Sequence, residues 1–242
     1  MIIEETFPLR YYINLGVRAE RRAECRAEFA RHRLQVERMP GLHRDYVTYA
    51  RGMGDRSRYG CAFSQRACIR QARLQRAEAV LIFEDDVVLH PDLRQRLSQV
   101  ELPDDWGLFY LGCLHVAPPV AVAPGLVRIT RAYDMHAVAI RKTVYSDALR
   151  TMRPGGRRAP PGCVVNSDVA LADLQVDVPA YAAWPNLAWQ RWSYSNTVGG
   201  TMSNYRSETG EQMLYPHAIS AVHLQMETLA NRAATPAPGP TQ

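Results

Sequence analysis

Several features that would place the chain in a simple class are missing from its 242 residues. No run of about 18 apolar residues is present, so a membrane-spanning helix is not expected. The N-terminal segment MIIEETFPLRYYINL carries two acidic residues where a secretory signal has basic ones, and it has no small-residue cleavage site. Internal repeats are also absent. We therefore expect a globular, cytoplasmic protein.

Paired cysteines are absent as well. The five cysteines are scattered and form no CxxC pair, which argues against a disulfide framework and a structural zinc site. Buried free thiols are expected at Cys25, Cys61, Cys68, Cys113 and Cys163.

Charge of one sign is concentrated in the first third of the chain. Residues 1–78 hold sixteen arginines and nine acidic residues, a net charge of +7, whereas the remainder has a net charge of −2. This asymmetry favours an anionic partner such as a phosphate, a nucleotide or an anionic lipid, although most of these arginines fit a solvated helix surface. Because no arginine run is interleaved with aromatic residues, we do not expect nucleic-acid binding.

Apolar runs and helical patterns alternate along the first half of the chain, which predicts an α/β fold with a mainly parallel central sheet flanked by helices. The expected strands are 11–15, 34–39, 79–83 and 107–112, and the expected helices begin near 19, 61 and 91. Residues 41–60 are predicted to form a long loop. We expect one domain over 1–232 and a disordered tail, rich in Pro and Ala, over 233–242.

The first expected helix has small apolar residues at helical spacing. They fall at i, i+4, i+7 and i+11, which predicts that one helical face made of them packs on the core. These residues are Ala23, Ala27, Ala30 and Leu34.

Three consecutive carboxylates, Glu84, Asp85 and Asp86, follow the apolar strand AVLIF. Open α/β sheets bind ligands at this carboxyl edge. Clustered carboxylates repel one another, and a hard cation such as Mn²⁺ or Mg²⁺ removes that conflict while leaving positions for phosphate. The alternative interpretation is a charged strand end followed by a turn.

Seven segments in order carry a resemblance to a known family. They are YYINLGVRAERRAE, SRYGCAFSQRACIRQA, LIFEDDVVL, DWGLFYLG, AYDMHAVAIRK, NSDVALADL and WPNLAWQRWSYSN. Together they resemble glycosyltransferase family 25, which includes bacterial lipopolysaccharide galactosyltransferases and related collagen hydroxylysine galactosyltransferases. The resemblance runs from about residue 10 to residue 196.

The resemblance implies a GT-A-like fold, a UDP-sugar donor, usually UDP-galactose, and a divalent metal. The metal motif of the family maps onto the acidic triplet, with Asp86 as the expected direct ligand. Glu84 is a second candidate metal ligand, and either Glu84 or Asp85 is expected to contact the donor ribose or a metal-bound water.

The resemblance also implies donor-binding segments at both ends of the matched region. Asn14, Leu15 and Arg18 correspond to the nucleotide-binding segment, where a helix N-terminus offers N–H groups to an anion. Arg18 or Arg22 is expected to add a guanidinium group. Gln190 and Ser193 match a late motif that lines the donor or acceptor pocket, and the three tryptophans beside them are candidates for stacking on a sugar, namely Trp184, Trp189 and Trp192.

Family members transfer the sugar with inversion, which requires a general base. Asp168 stands where the family has a characteristic aspartate and is the expected base. Helix capping is the competing role at this position, and Asn166 and Ser167 also offer caps. Asp134 is a weaker alternative for the base.

Two positions depart from the family pattern. Gly16 stands where an acidic residue is usual, and Gln65 stands where a histidine is typical. A glutamine side chain forms hydrogen bonds but carries no titratable proton.

The sequence therefore predicts a cytoplasmic, metal-dependent glycosyltransferase that moves a hexose from a UDP-sugar to a glycan or glycolipid such as a lipopolysaccharide precursor. Peripheral contact with an anionic membrane face is a further expectation from the basic half. The alternatives are a catalytically silent nucleotide-sugar-binding protein and a basic interaction module. A P-loop enzyme is not expected, because GxxxxGK[ST] is absent.

Overall fold

The fold comes from a computed structural model of the 242-residue chain. The structure describes residues 1–47, 56–153, 166–191, 193–195, 200–202 and 225–229, with the backbone alone for 193–195 and 200–202. Several predicted features lie outside these ranges: the tail over 233–242, Cys163 and Trp192.

A mixed eight-stranded sheet forms the centre of the fold, in the order β2-β1-β3-β8-β5-β9-β7-β6. Its pairings make β8 and β7 antiparallel to the other six strands, so the expected α/β fold with a mainly parallel central sheet is confirmed. The strands of this sheet are β1 (Leu9–Leu15), β2 (Glu37–Gly41), β3 (Ala79–Glu84), β5 (Leu108–His115), β6 (Val120–Ala123), β7 (Leu126–Ile129), β8 (Ala132–Arg141) and β9 (Ala180–Ala183). Two small antiparallel pairs are formed by β4 (Val87–Leu89) with β10 (Ala188–Gln190) and by β11 (Ser193–Ser195) with β12 (Gly200–Met202).

Helices cover both faces of the sheet. They are α1 (Ile3–Thr6), α2 (Ala19–Arg31), α3 (Arg56–Leu74), α4 (Leu93–Ser98), α5 (Tyr145–Thr151) and α6 (Ser167–Leu174). Helices α3, α5 and α6 contribute to one apolar cluster, and α1, α2 and α4 contribute to the other. Short 3₁₀ turns occupy Arg44–Tyr46 and Lys142–Val144.

Strand β3 shows why an unbroken apolar run marks a central strand. Its alternate side chains point to opposite faces of the sheet, so Val80 and Ile82 join one cluster while Leu81 and Phe83 join the other. Since helices cover both faces, every one of these positions is buried and none needs a polar residue.

The predicted core face of α2 is wrong for its three alanines, whereas Leu34, which follows the helix, is buried as expected. Ala23, Ala27 and Ala30 are exposed, and the buried residues of α2 are Cys25, Glu28 and Phe29. Larger side chains bury more apolar area than alanine, so the helix turns Phe29 toward the core; its ring lies 5.1 Å from that of Phe83. Glu28 is buried with them because its carboxylate accepts a hydrogen bond from the backbone N–H of Leu89 at 2.7 Å.

Two element boundaries also differ from the sequence expectations. Helix α3 begins at Arg56 rather than near Cys61, so residues 56–60 of the expected loop are helical instead. Strand β2 runs through Pro40, which is tolerated because β2 is the edge strand of the sheet as far as the structure describes it, so one side of its backbone pairs with no described strand.

Four of the five cysteines lie within the described ranges. Cys25, Cys61, Cys68 and Cys113 are free thiols, and all but the half-buried Cys61 are buried. Among the described helices, none combines the length and the apolar character needed to cross a bilayer.

The close approach of α3 to the end of β2 generates a stability prediction. A Cβ atom added to Gly60 would lie 2.3 Å from the carbonyl oxygen of Leu42, so the backbone would have to move. We expect Gly60→Ala to lower the free energy of unfolding by about 1–3 kcal/mol, measured by urea denaturation. The control is Gly16→Ala, because the heavy atom nearest to a Cβ added at Gly16 is 3.9 Å away. An equal effect of both substitutions would contradict the close packing at Gly60.

Candidate functional site

A cavity of about 330 Å³ opens at the edge of the sheet where β1 and β3 end. Parallel strands bring their carboxyl ends to the same edge, and the antiparallel β8 begins there. The first turns of α3 and α6 and the residues around the start of α2 complete the walls. The walls therefore carry carboxylates from the strand ends and arginines from the neighbouring helices and loops.

The acidic triplet sits at the centre of this edge. Glu84 is the last residue of β3, and Asp85 and Asp86 form the turn that leads into β4. Pairing of β4 with β10 brings Gln190 and Arg191 next to that turn, and the backbone N–H of Arg191 donates to the carbonyl of Asp86 at 2.6 Å. The short antiparallel pairing thus fixes the turn from a segment 106 residues away along the chain.

Arg21 is the counter-ion of the triplet. One nitrogen of its guanidinium group, Nη1, lies 2.8 Å from Asp85 Oδ1 and 3.2 Å from Asp86 Oδ2. Burial lowers the pKa of Arg21, but the charges of Asp86 and Asp85 outweigh it and leave that pKa raised. Sequence reasoning missed Arg21 and named Arg22 as a candidate; Arg22 does not line the cavity.

Asn14 lies behind the triplet rather than on the cavity wall. Its Nδ2 donates to Asp85 Oδ2 at 2.7 Å, and its Oδ1 accepts from Arg38 Nε at 3.1 Å. The side chain is 1% exposed. Asn14 therefore orients Asp85, whereas Leu15 and Arg18, the other two predicted residues of this segment, line the cavity.

Glu84 is bound by two amide groups. Gln65 Nε2 donates to its Oε1 at 3.3 Å, and Gln190 Nε2 donates to its Oε2 at 2.9 Å. Burial raises the pKa of Glu84 to about 8, with further contributions from the charges of Asp86 and Asp134. Burial likewise raises the pKa of Asp86 to about 6, while Arg21 opposes that shift.

A second acidic pair, Asp134 and Asp168, faces the same cavity. Asp134 lies near the start of β8 with φ of +68°, and burial together with the charge of Asp168 raises its pKa to about 7. Asp168 lies in the first turn of α6 and accepts from the backbone N–H groups of Val169, at 2.9 Å, and Asp134. Burial raises the pKa of Asp168 as well. The expected base and its alternative are thus neighbours.

The remaining predicted residues divide between cavity, core and undescribed side chains. Asn166 precedes α6 without a side-chain capping bond, and Gln190 lines the cavity. Trp184 is 6% exposed within the core, and Trp189 contacts His90 edge to face at 6.3 Å; neither lines the cavity. Ser193 is in β11, and its side chain lies outside the described atoms.

The donor set at Asp86 fits a hard divalent cation. Asp86 Oδ1 is buried and has no hydrogen-bond partner within the described ranges, although its second oxygen contacts Arg21. Across those ranges, no three His, Cys, Asp or Glu side chains converge as a ready-made metal cage. Magnesium sites that use one or two carboxylates together with substrate phosphates need no such cage.

The raised pKa of Asp134 predicts a pH dependence of stability in the metal-free protein. A carboxyl pKa raised on folding favours the protonated folded state, so its contribution is present below about pH 4 and is lost as the pH rises to about 7. We expect Asp134→Asn, which also tolerates a positive φ, to gain stability over the wild type across this window, by at most about 1.4 kcal/mol per pH unit.

Chemical denaturation in EDTA at a series of pH values measures this difference. The exposed Asp104→Asn, outside the cavity, serves as the control and is expected to follow the wild-type curve. If the difference in the free energy of unfolding between Asp134→Asn and the wild type does not grow with pH, the raised pKa of Asp134 is contradicted.

Comparison with known proteins finds sequence similarity to glycosyltransferase 25 family proteins. No family model matches the chain. The chain is 31% identical over 137 residues to "Inactive glycosyltransferase 25 family member 3" from Mus musculus and to the protein of that name from Homo sapiens. It is 30% identical over 137 residues to "Probable inactive glycosyltransferase 25 family member 3" from Bos taurus.

Two solved structures show distant likeness to the chain. A glycosyltransferase involved in glycosylation of the major capsid of PBCV-1 superposes with a TM-score of 0.39 and 12% identity, covering 73% of this chain and 94% of that one. A mannose-1-phosphate geranyltransferase from Thermus thermophilus gives 0.43 and 10%, covering 72% and 73%. Likeness of this degree carries no argument about function.

The sequence similarity covers 50% of this chain, and it spans 22% of the length of the glycosyltransferase 25 family proteins that it matches.

Proposed function

We propose that the cavity is the donor site of a metal-dependent, GT-A-like glycosyltransferase that moves a hexose from a UDP-sugar to a hydroxyl group of a glycan acceptor. The sequence similarity to glycosyltransferase 25 family proteins supports the transferase class. The observation that carries the proposal is the buried Asp86 Oδ1, which has no hydrogen-bond partner in the described chain although arginines and other carboxylates surround it.

Asp86 is the residue best placed to hold Mn²⁺ or Mg²⁺. Both oxygens of Glu84 already accept hydrogen bonds from amides, and Asp85 is engaged by Asn14 and Arg21. Of the three residues in the triplet, only Asp86 has a buried oxygen without a hydrogen-bond partner in the described structure. A divalent cation held there would neutralise charge on the diphosphate leaving group of the donor.

The start of α2 supports binding of the diphosphate. This helix has 13 residues and begins at Ala19, directly after Arg18, so its first backbone N–H groups and its positive dipole end lie close to the cavity. Arg18 and Arg21 add two guanidinium groups to the same wall. A dianionic group is favoured there over a neutral one.

The transfer step needs a proton acceptor opposite the leaving group, and Asp168 is our candidate. Its carboxylate is held by backbone N–H groups, and its raised pKa favours proton uptake relative to an ordinary aspartate. In a single displacement, the acceptor oxygen forms a bond to the anomeric carbon and its proton passes to Asp168. The anomeric carbon–oxygen bond to UDP breaks, and its electron pair leaves with UDP.

A catalytically silent nucleotide-sugar-binding protein is the second candidate. The curated relatives carry the word inactive in their names, and Gln65 stands where the resemblance leads us to expect a histidine. In this case the same cavity binds the donor without transfer. A basic interaction module is disfavoured, because it offers no reason for the buried Asp86 oxygen that has no hydrogen-bond partner among the described residues.

Nucleotide binding is measured most simply as a shift in Tm. We expect millimolar UDP with Mn²⁺ to raise the Tm of the wild type by about 5–10 °C, which corresponds to a ligand at about a hundred times its Kd. In Asp86→Asn, which keeps the size of the side chain but loses its charge, the Mn²⁺-dependent part of the shift should disappear.

Asp104→Asn is the matched control and should behave like the wild type. No shift in the wild type at millimolar UDP would contradict the proposal. Release of UDP from UDP-galactose with an acceptor then separates the two candidates, since a silent binder gives the shift without turnover.

A further inference from the structure

Two glutamine amides from distant parts of the chain meet on Glu84. Gln65 comes from the middle of α3, and Gln190 ends β10. Each donates a hydrogen bond from its Nε2 to a different oxygen of the carboxylate, at 3.3 Å for Gln65 and 2.9 Å for Gln190. Glu84 thus binds both amides at once, and both glutamines line the cavity.

The contact with Glu84 decides which way the amides face. A carboxylate oxygen accepts hydrogen bonds, so it draws the N–H side of each amide toward itself and leaves the carbonyl side facing away. The two Nε2 contacts seen on Glu84 are those of a carboxylate, because a protonated carboxyl group keeps only one oxygen that acts in this way. Gln65 is 1% exposed, and its Oε1 has no hydrogen-bond partner in the described structure. The buried Gln65 Oε1 can therefore accept a hydrogen bond, but no described residue donates one to it.

The position of the two amides indicates which part of the bound UDP-sugar would donate hydrogen bonds to them. Glu84 shares the cavity with Asp86, Asp134 and Asp168, and the charge of each acts on it. In the proposed reaction, the leaving diphosphate is at Asp86 and the base is Asp168. The group between them is the transferred hexose, whose hydroxyl groups donate hydrogen bonds.

We propose that Gln65 and Gln190 form a subsite that accepts hydrogen bonds from the hydroxyl groups of the transferred sugar, with Glu84 as the positioning residue that orients both amides. This inference rests on the proposed function. It makes Gln65 a residue for sugar recognition, in a position where acid–base chemistry is excluded by the amide.

The test compares the affinities for UDP and UDP-galactose, each with Mn²⁺, by titration calorimetry. The wild type should bind UDP-galactose more tightly than UDP. Gln65→Met keeps a side chain of similar length without the carbonyl acceptor, and we expect it to lose about three- to tenfold in affinity for UDP-galactose with no change for UDP. Gln190→Met is expected to show the same selective loss.

Gln71→Met is the matched control, because Gln71 belongs to α3 but does not line the cavity, and both of its affinities should equal those of the wild type. Glu84→Gln should also weaken the binding of UDP-galactose, because an amide at this position turns one of the two carbonyl groups toward itself. Equal changes for UDP and UDP-galactose, or no change in either glutamine variant, would overturn the subsite while leaving the proposed function in place. Failure of the wild type to bind UDP would instead overturn the proposed function, and the subsite with it.

Discussion

Repulsion between five carboxylates in one cavity is the constraint on which the arrangement of the site depends. They are Glu84, Asp85, Asp86, Asp134 and Asp168. Burial and mutual repulsion raise the pKa values of Glu84, Asp86 and Asp134 to between about 6 and about 8. A folded protein keeps such a cluster only where neighbouring groups offset part of the cost of burying charge.

Neighbouring groups offset the charge of four of these five carboxylates in three different ways. Arg21 bridges Asp85 and Asp86, the Gln65 and Gln190 amides bind Glu84, and backbone N–H groups bind Asp168. The partners come from α2, α3, β10 and α6, so elements on both faces of the sheet contribute to this edge. The compensation is incomplete at Asp86, where one buried oxygen has no partner in the described structure.

Part of this arrangement is visible in the sequence. The apolar run of β3 followed by three acidic residues predicts a buried strand and a carboxylate cluster at its end, because a central strand covered on both faces excludes polar residues until it leaves the sheet. The order of strands and helices likewise predicts the α/β class. These features depend on neighbouring residues only.

The partners of the carboxylates are not visible in the same way. The alanines of α2 have helical spacing, but so do Arg21, Cys25, Glu28 and Phe29, and burial of the larger ring decides the orientation of the helix. That rotation turns Arg21, and not Arg22, toward the triplet. The contact of Gln190 with Glu84 joins residues 106 positions apart, and only the pairing of β4 with β10 creates it.

Electron paramagnetic resonance of Mn²⁺ tests the central claim most directly, because free and protein-bound Mn²⁺ are distinguished without any need for turnover. The account predicts that the signal of free Mn²⁺ falls when wild-type protein and UDP are present together, and that Asp86→Asn leaves the signal at the level of UDP and Mn²⁺ alone. An unchanged signal in the wild type, or an equal fall in the variant, would contradict the assignment of Asp86 as the cation-binding residue.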